Sequence, residues 1–260
     1  MVKGLLLFTR CRLVLTAIMA SMGFILMPLA KADDQITKND GSVVSGTILG
    51  VSDGQVMIQS YTSNGGSAKF PVDLTYIKSV AMAEPADVAK LQGQDAAPAA
   101  VIAALEPQVK KFAGLPVDWL IAAMAQLGDA YLNSGQSDKA LAIYNQISKL
   151  YPGSAYENVA KAGEAKLDLK AGKIDEALAA VQPVVDEANK NIAPSPSEGP
   201  LYAGAFLVYG QILEAQKKTQ QALEAYLTVT TMFYQNANFA NQAAQLAKNL
   251  RDQNPGLGVE

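Results

Sequence analysis

Polar and apolar positions keep two different rhythms along this chain. From residue 34 to residue 82 they alternate one by one between turn signals, the two-residue period of half-buried strands. The alternation predicts strands at Gln35–Lys38, Val43–Val51, Gln55–Tyr61, Ser67–Pro71 and Tyr76–Met82, separated by Asp40-Gly41, Asp53-Gly54, Asn64-Gly65-Gly66 and Asp73. Five short strands so close together predict a small closed barrel, with Gly46 allowing a sharp bend in the long second strand. After Glu84-Pro85 the spacing turns helical. Residues 86–99, rich in Ala, Gln, Asp and Gly and carrying Pro98, read as a linker or a loosely held helix. From Ala99 to Phe112, Val101, Ile102, Leu105, Val109 and Phe112 recur at three- and four-residue steps, and Gly114-Leu-Pro116 ends the run. Asp118 is placed to cap the next helix, whose apolar face carries Trp119, Met124, Leu127 and Tyr131. Trp119 is expected to pack that helix against the one before it.

Small and large residues then recur in a fixed pattern over residues 121–154: Leu127, Gly128, Tyr131, Gly135, Ala140, Tyr144 and Pro152. Small side chains at Gly128 and Ala140 let two antiparallel helices approach, the tyrosines fill the space beside them, and Pro152 stops the second helix. The pattern repeats. A shift of 37 residues places Gly172 on Gly135, Ala177 on Ala140, Leu178 on Leu141 and Val184 on Ile147. A shift of 82 places Gly210 on Gly128, Ala222 on Ala140, Leu223 on Leu141 and Tyr226 on Tyr144. The surplus over a regular period lies mainly in Ile192-Ala-Pro-Ser-Pro-Ser-Glu-Gly-Pro200, which predicts an extended loop. A last helix over Ala237 to Asp252 is expected to cover the third hairpin.

Residues 121–154 resemble a tetratricopeptide repeat, whose pattern runs Leu-Gly, Tyr, Ala, an aromatic and a closing Pro. The resemblance extends over about residues 118–252, unequally: in the second hairpin Asp168 stands where the family has its tyrosine and Ala165 where it has its glycine. It implies a short α-solenoid whose first helices line a concave surface that binds peptides or partner helices, without catalysis. On that pattern the candidate partner-binding residues are Gln126, Asp129 and Asn133 from the first hairpin, Lys166 and Lys170 from the second, and Gln211 and Glu214 from the third. Tyr202, Phe206, Tyr209, Tyr226 and Phe233 are expected in the core, whereas Tyr234 and Phe239 flank a polar stretch and are available to a partner. The run from Asp40-Gly41 through Gly46 to Asp53-Gly54-Gln-Val-Met-Ile resembles the start of an Sm-like or SH3-like barrel.

Charge and composition narrow the chemistry. Lys3, Arg10 and Arg12, an apolar run from Leu13 to Ala30, and Ala30-Lys31-Ala32 read as an export signal cut before Asp33. The alternative is an uncleaved membrane anchor, since the run is long enough to span a bilayer. The single cysteine, Cys11, precedes the run, where it cannot be a lipidated N-terminus. Four of the 21 basic residues and none of the 24 acidic ones precede Asp33, so the net charge of −3 becomes −7 for residues 33–260. Those residues contain no histidine and no cysteine. That excludes Ser-His-Asp and Cys-His nucleophiles, imidazole bases and His or Cys zinc sites. No paired carboxylates stand apart from ordinary helix-surface charge, and Asn64-Gly65-Gly66 lacks the rest of a phosphate loop. An Sm-like barrel would imply RNA, yet residues 33–82 hold Lys38, Lys69 and Lys78 against five aspartates, which disfavours nucleic acid.

The sequence therefore predicts a mainly α chain: an export signal (1–32), a small five-stranded β-barrel (33–83), a linker (84–99), a solenoid of hairpins resembling tetratricopeptide repeats with a capping helix (100–254), and a tail (255–260). The expected function is a non-enzymatic scaffold or adaptor, periplasmic or secreted, that binds a protein or peptide partner. No catalytic residue, cofactor or metal is expected. The alternative is a structural subunit of an envelope assembly that self-associates; membrane proximity stays open.

Overall fold

The computed structural model describes residues 33–61, 64–91, 96–152, 156–191, 193–195 and 198–258. The export-signal reading of residues 1–32 lies outside them. Five antiparallel strands come first: β1 (Asp34–Lys38), β2 (Val43–Ser52), β3 (Gln55–Tyr61), β4 (Ser67–Asp73) and β5 (Ile77–Ala81). Their order across the sheet is β4-β3-β2-β1-β5. Registers such as Ile48 opposite Ile58 and Val56 opposite Val72 put Ile36, Ile48, Val56, Ile58 and Val72 in the core. The expected closed barrel is not formed. β4 and β5 are opposite edges with no ladder between them, joined by a 3-10 turn at Leu74–Tyr76. The apolar face is covered by helices instead: one continuous core runs from Ile36, Ile58 and Val72 into Val88, Leu105, Leu115 and Leu120. The bend of β2 also falls elsewhere than expected. Its register shifts between Ile48 and Gly50, leaving Leu49 as the extra residue of a bulge beside Gly50 at φ +151°. Gly46 serves a close approach: a Cβ there would lie 2.2 Å from the Gln59 carbonyl oxygen.

Helices follow: α1 (Ala86–Ala89), α2 (Pro98–Phe112), α3 (Asp118–Asn133), α4 (Ser137–Leu150), α5 (Glu157–Lys170), α6 (Ile174–Lys190), α7 (Gly199–Ala215), α8 (Thr219–Met232) and α9 (Ala237–Gln253). The segment read as a linker contains α1, and Val88 and Leu91 are buried in the shared core. Phe112 and Trp119 meet edge to face with centroids 6.0 Å apart, joining α2 to α3 as expected. Asp118 does not cap α3. It is the first helical residue, and its carboxylate accepts the Tyr156 hydroxyl across to the start of α5. Gly199 and Pro200, read as loop, form the first turn of α7, where proline's missing N–H costs nothing.

Three of the turns are built alike. After α3 the N–H of Gln136 donates to Tyr131 at 2.8 Å and that of Gly135 to Leu132 at 3.1 Å; after α5 Lys173 donates to Asp168 and Gly172 to Leu169; after α7 Lys218 donates to Leu213 and Lys217 to Glu214. These are helix ends closed by a residue in the left-handed region, and the donors recur at the shifts of 37 and 82 seen in the sequence. Gly135 and Gly172 hold φ of +79° and +76°, while Lys217 adopts +61° with a side chain attached. Besides packing on its sequence neighbours, each odd-numbered helix from α3 onward packs on the next, α3 on α5, α5 on α7 and α7 on α9. The odd helices thus form one layer and the even helices the other. α7 is surrounded and buried almost all round, from Tyr202 to Val208. α9 buries a single stripe, Ala243, Ala247 and Leu250, and closes the stack.

A left-handed conformation is costly for lysine and free for glycine. Lys217→Gly is therefore expected to stabilise the protein by about 0.5–1 kcal/mol, read as a higher midpoint in denaturant; an unchanged or lower midpoint contradicts the strain.

Candidate partner-binding groove

The seven candidate residues all lie on odd-numbered helices, three on α3 and two each on α5 and α7. Asp129, Lys166 and Lys170 bond to one another's helices, and Glu214 bonds to α8. Asp129 is a junction: its Oδ1 accepts the Tyr144 hydroxyl at 2.7 Å, and its Oδ2 accepts the Lys166 ammonium at 2.6 Å. Tyr144 belongs to α4 and Lys166 to α5, so one carboxylate ties three helices together. Lys170 donates to the carbonyl of Leu132 in the last turn of α3, where a cation also meets the negative end of the helix. On the third hairpin Glu214 accepts the Tyr226 hydroxyl from α8. Asp129, Lys166, Lys170 and Glu214 are accordingly placed as fasteners of the layer. Gln126 and Gln211 are half-buried on the same helices, and Asn133 is exposed at the end of α3.

The packing beneath these groups is tight. The Tyr144 ring lies between α3 and α5, so that a Cβ on Gly128 would be 2.6 Å from it and one on Gly163 2.3 Å. The Tyr226 ring meets Gly210 the same way, at 2.4 Å. Burial pushes the Tyr144 hydroxyl well above the ordinary tyrosine range, and the Asp129 carboxylate pushes it further. Tyr226 is raised by burial and then by Glu214, and Tyr156 by burial and then by Asp118. Tyr131 is pushed up to about 12 by burial and the Glu106 carboxylate, and Tyr151 to about 12 by burial. Midway along α5, burial raises the Glu164 carboxyl, with Asp168 adding to the effect and Lys161 opposing it.

One linkage was not foreseen from the residue pattern. Glu187 on α6 accepts the Asn158 amide of α5 at 3.2 Å and the Tyr202 hydroxyl of α7 at 3.1 Å. It fastens the second hairpin, which has no tyrosine in its second helix, to the third. Nothing in the family pattern marks that position; only the buried Asn158 opposite it hints at a polar partner. Of the two residues considered available to a partner, Tyr234 is 63% exposed, whereas Phe239 is half-buried against Gly204. Among the described residues no group of three or more Asp, Glu or Cys side chains is gathered to hold a metal ion, and no helix is long and apolar enough to cross a membrane.

A layered stack of helical hairpins behind an antiparallel sheet defines a helical-repeat protein. A family model of the tetratricopeptide repeat matches residues 162–241, from within α5 to the start of α9. The match covers the second and third hairpins; the first shares their turn geometry. No curated protein and no solved structure matches the chain.

Six tyrosines with raised values, Tyr202 among them through burial, couple stability to alkali. The unfolded chain ionises near pH 10, before the folded one, so their contribution is complete below about pH 10 and is lost as pH climbs toward 12. Denaturant midpoints are expected to fall steadily above about pH 10. A flat profile up to about pH 12 contradicts the burial of these hydroxyls.

Proposed function

We propose that the protein is a non-enzymatic scaffold or adaptor of the cell envelope, which holds a protein partner against the layer formed by α3, α5 and α7. Tetratricopeptide repeats generally mediate protein–protein interaction, and residues 162–241 carry that match. The observation that carries the reading is the fastening of the layer. Asp129 to Lys166 and Lys170 to Leu132 lock α3 to α5, so the surface is formed before a partner arrives and little ordering remains to oppose binding. Gln126, Asn133 and Gln211 are then the side chains that read the partner, and the fasteners shape what they stand on. Export is supported by Lys3, Arg10 and Arg12 ahead of the apolar run and by the small residues Ala30 and Ala32 behind it. Neither sheet edge favours pairing with a second copy: β4 carries Lys69 and Pro71, and β5 is five residues long and carries Lys78.

Charge reversal at Lys166 and Lys170 would unpin α5 from α3, so it confounds folding with binding. Gln126→Arg with Asn133→Arg is the cleaner variant, with a stability change expected within about 0.5 kcal/mol. Crosslinked capture from an envelope extract is expected to recover a partner with the wild type and to lose it with this variant. Equal recovery by both removes the α3 face from the mechanism. Mass spectrometry of the protein from its native host is expected to find an N-terminus at Asp33, and an intact Met1 refutes cleavage of the segment.

A further inference from the structure

The even-numbered helices do not close over α7. Between α6 and α8 an open cleft of about 280 Å³ is lined by Gln182, Val185 and Asn189 on one wall, Gln221, Glu224, Ala225 and Thr228 on the other, and Phe206 and Tyr209 below. Each wall is one helix face, since its residues recur at three- and four-residue steps. It lies on the layer opposite the groove described above. Three properties of the lining define what fits. Gln182 to Asn189 spans about 10 Å of helix rise, the length of about three residues of extended chain, and a helix about 10 Å across is too wide for the volume. Gln182, Asn189 and Gln221 offer side-chain amides, each both donor and acceptor, which is what a peptide backbone needs at its own N–H and C=O groups. Tyr209, half-buried, is the accessible part of the floor, with Phe206 buried beneath it and Val185 and Ala225 buried at the foot of the walls, and Glu224 is the one charged group among the described lining residues. Glu224 is exposed, and its Oε1 accepts from Gln220 at 3.2 Å. One turn past Thr228, on the same face of α8, stands Met232, 53% exposed, an adaptable apolar lip.

We propose that this cleft binds an extended segment of a partner protein that presents an apolar side chain to Tyr209 and a lysine or arginine to Glu224. Charge complementarity selects the segment: a cation meets a carboxylate with no competing cation in the lining, and an acidic segment meets repulsion. The site stands on its own geometry and does not depend on the groove of α3 and α5.

The test titrates the purified protein with two defined peptides, acetyl-Ser-Leu-Lys-Val-Ser-amide and acetyl-Ser-Leu-Glu-Val-Ser-amide, and follows backbone amide resonances. The lysine peptide is expected to shift Val185, Tyr209 and Ala225 and to bind at least about fivefold tighter than the glutamate peptide, with the gap narrowing at high salt. Glu224→Lys, at an exposed position, is expected to reverse the order of the two peptides, while Gln126→Arg with Asn133→Arg leaves it unchanged. Equal affinity for both peptides, binding by neither, or shifts confined to α3 and α5 each overturn the proposal.

Discussion

The position of one aromatic ring controls how closely the first three solenoid helices approach. Tyr144 projects from α4 into a slot whose two sides are the bare backbones of Gly128 in α3 and Gly163 in α5, and a methyl group on either would collide with the ring. The ring is fully buried, so it has nowhere to retreat, and overpacking a site of this kind costs about 1–3 kcal/mol. Its hydroxyl cannot be left without a partner in that slot, and Asp129 supplies one. Asp129 in turn presents its second oxygen to Lys166, so the spacing set by a core contact becomes the spacing of the surface groups above it. The third hairpin reuses the device with Tyr226, Gly210 and Glu214, although its acid stands four residues beyond the glycine where Asp129 stands one beyond.

The second hairpin lacks the device, and the consequence is visible in the core. Val181 occupies the position of the tyrosine and Ala165 that of the glycine, both fully buried but with much less area to share. The buried residues divide here. Those up to Ala160 join the sheet and the first hairpin in one cluster, and those from Ala165 on join the third hairpin and α9 in another. α5 therefore belongs to both cores, and polar bonds complete what packing leaves undone: Lys166 and Lys170 bind it to α3, and Asn158 reaches α7 through Glu187 and Tyr202. In a stack where each unit touches only its neighbours, such a seam transmits cooperativity from one end to the other.

Most elements were legible because their periodicity is local. The strand limits read from alternation differ from the observed ones by a residue or two, and the hairpin turns announced themselves through Gly135 and Gly172. What failed depends on distant neighbours. Strand alternation shows that one face of the sheet is apolar, but not whether the sheet or a helix covers it; here α1 and α2 do, and the barrel stays open. Lys217 hid a left-handed turn because its side chain gives no conformational signal. Helical spacing placed the candidate residues on the right helices without showing that Asp129 and Lys166 meet. Yet those two residues are separated by the repeat shift of 37 itself, so opposite charges at equivalent positions of adjacent hairpins were a readable sign of a bond between them.

The open sheet follows from what a helical stack requires at its ends. A hairpin buries one face against its successor and needs its other face covered, by a terminal element with a polar outer side. At the C-terminal end α9 meets this with one buried stripe and exposed polar residues elsewhere. At the N-terminal end the sheet meets it together with α1 and α2. Leu74 and Val51 pack at Gly114, in the bend between α2 and α3, and Lys111 lies against Gly50 at the bulge of β2. The face turned away from the helices carries Gln55 with Asp73, Met57 with Pro71, and Gln59 with Lys69 at successive registers of β3 and β4. A closed barrel would have spent its apolar face on itself and left the helices without cover. An open sheet shares that face with the helices, so sheet and solenoid fold around one core and the first hairpin, with Tyr144 at its centre, is braced from both sides.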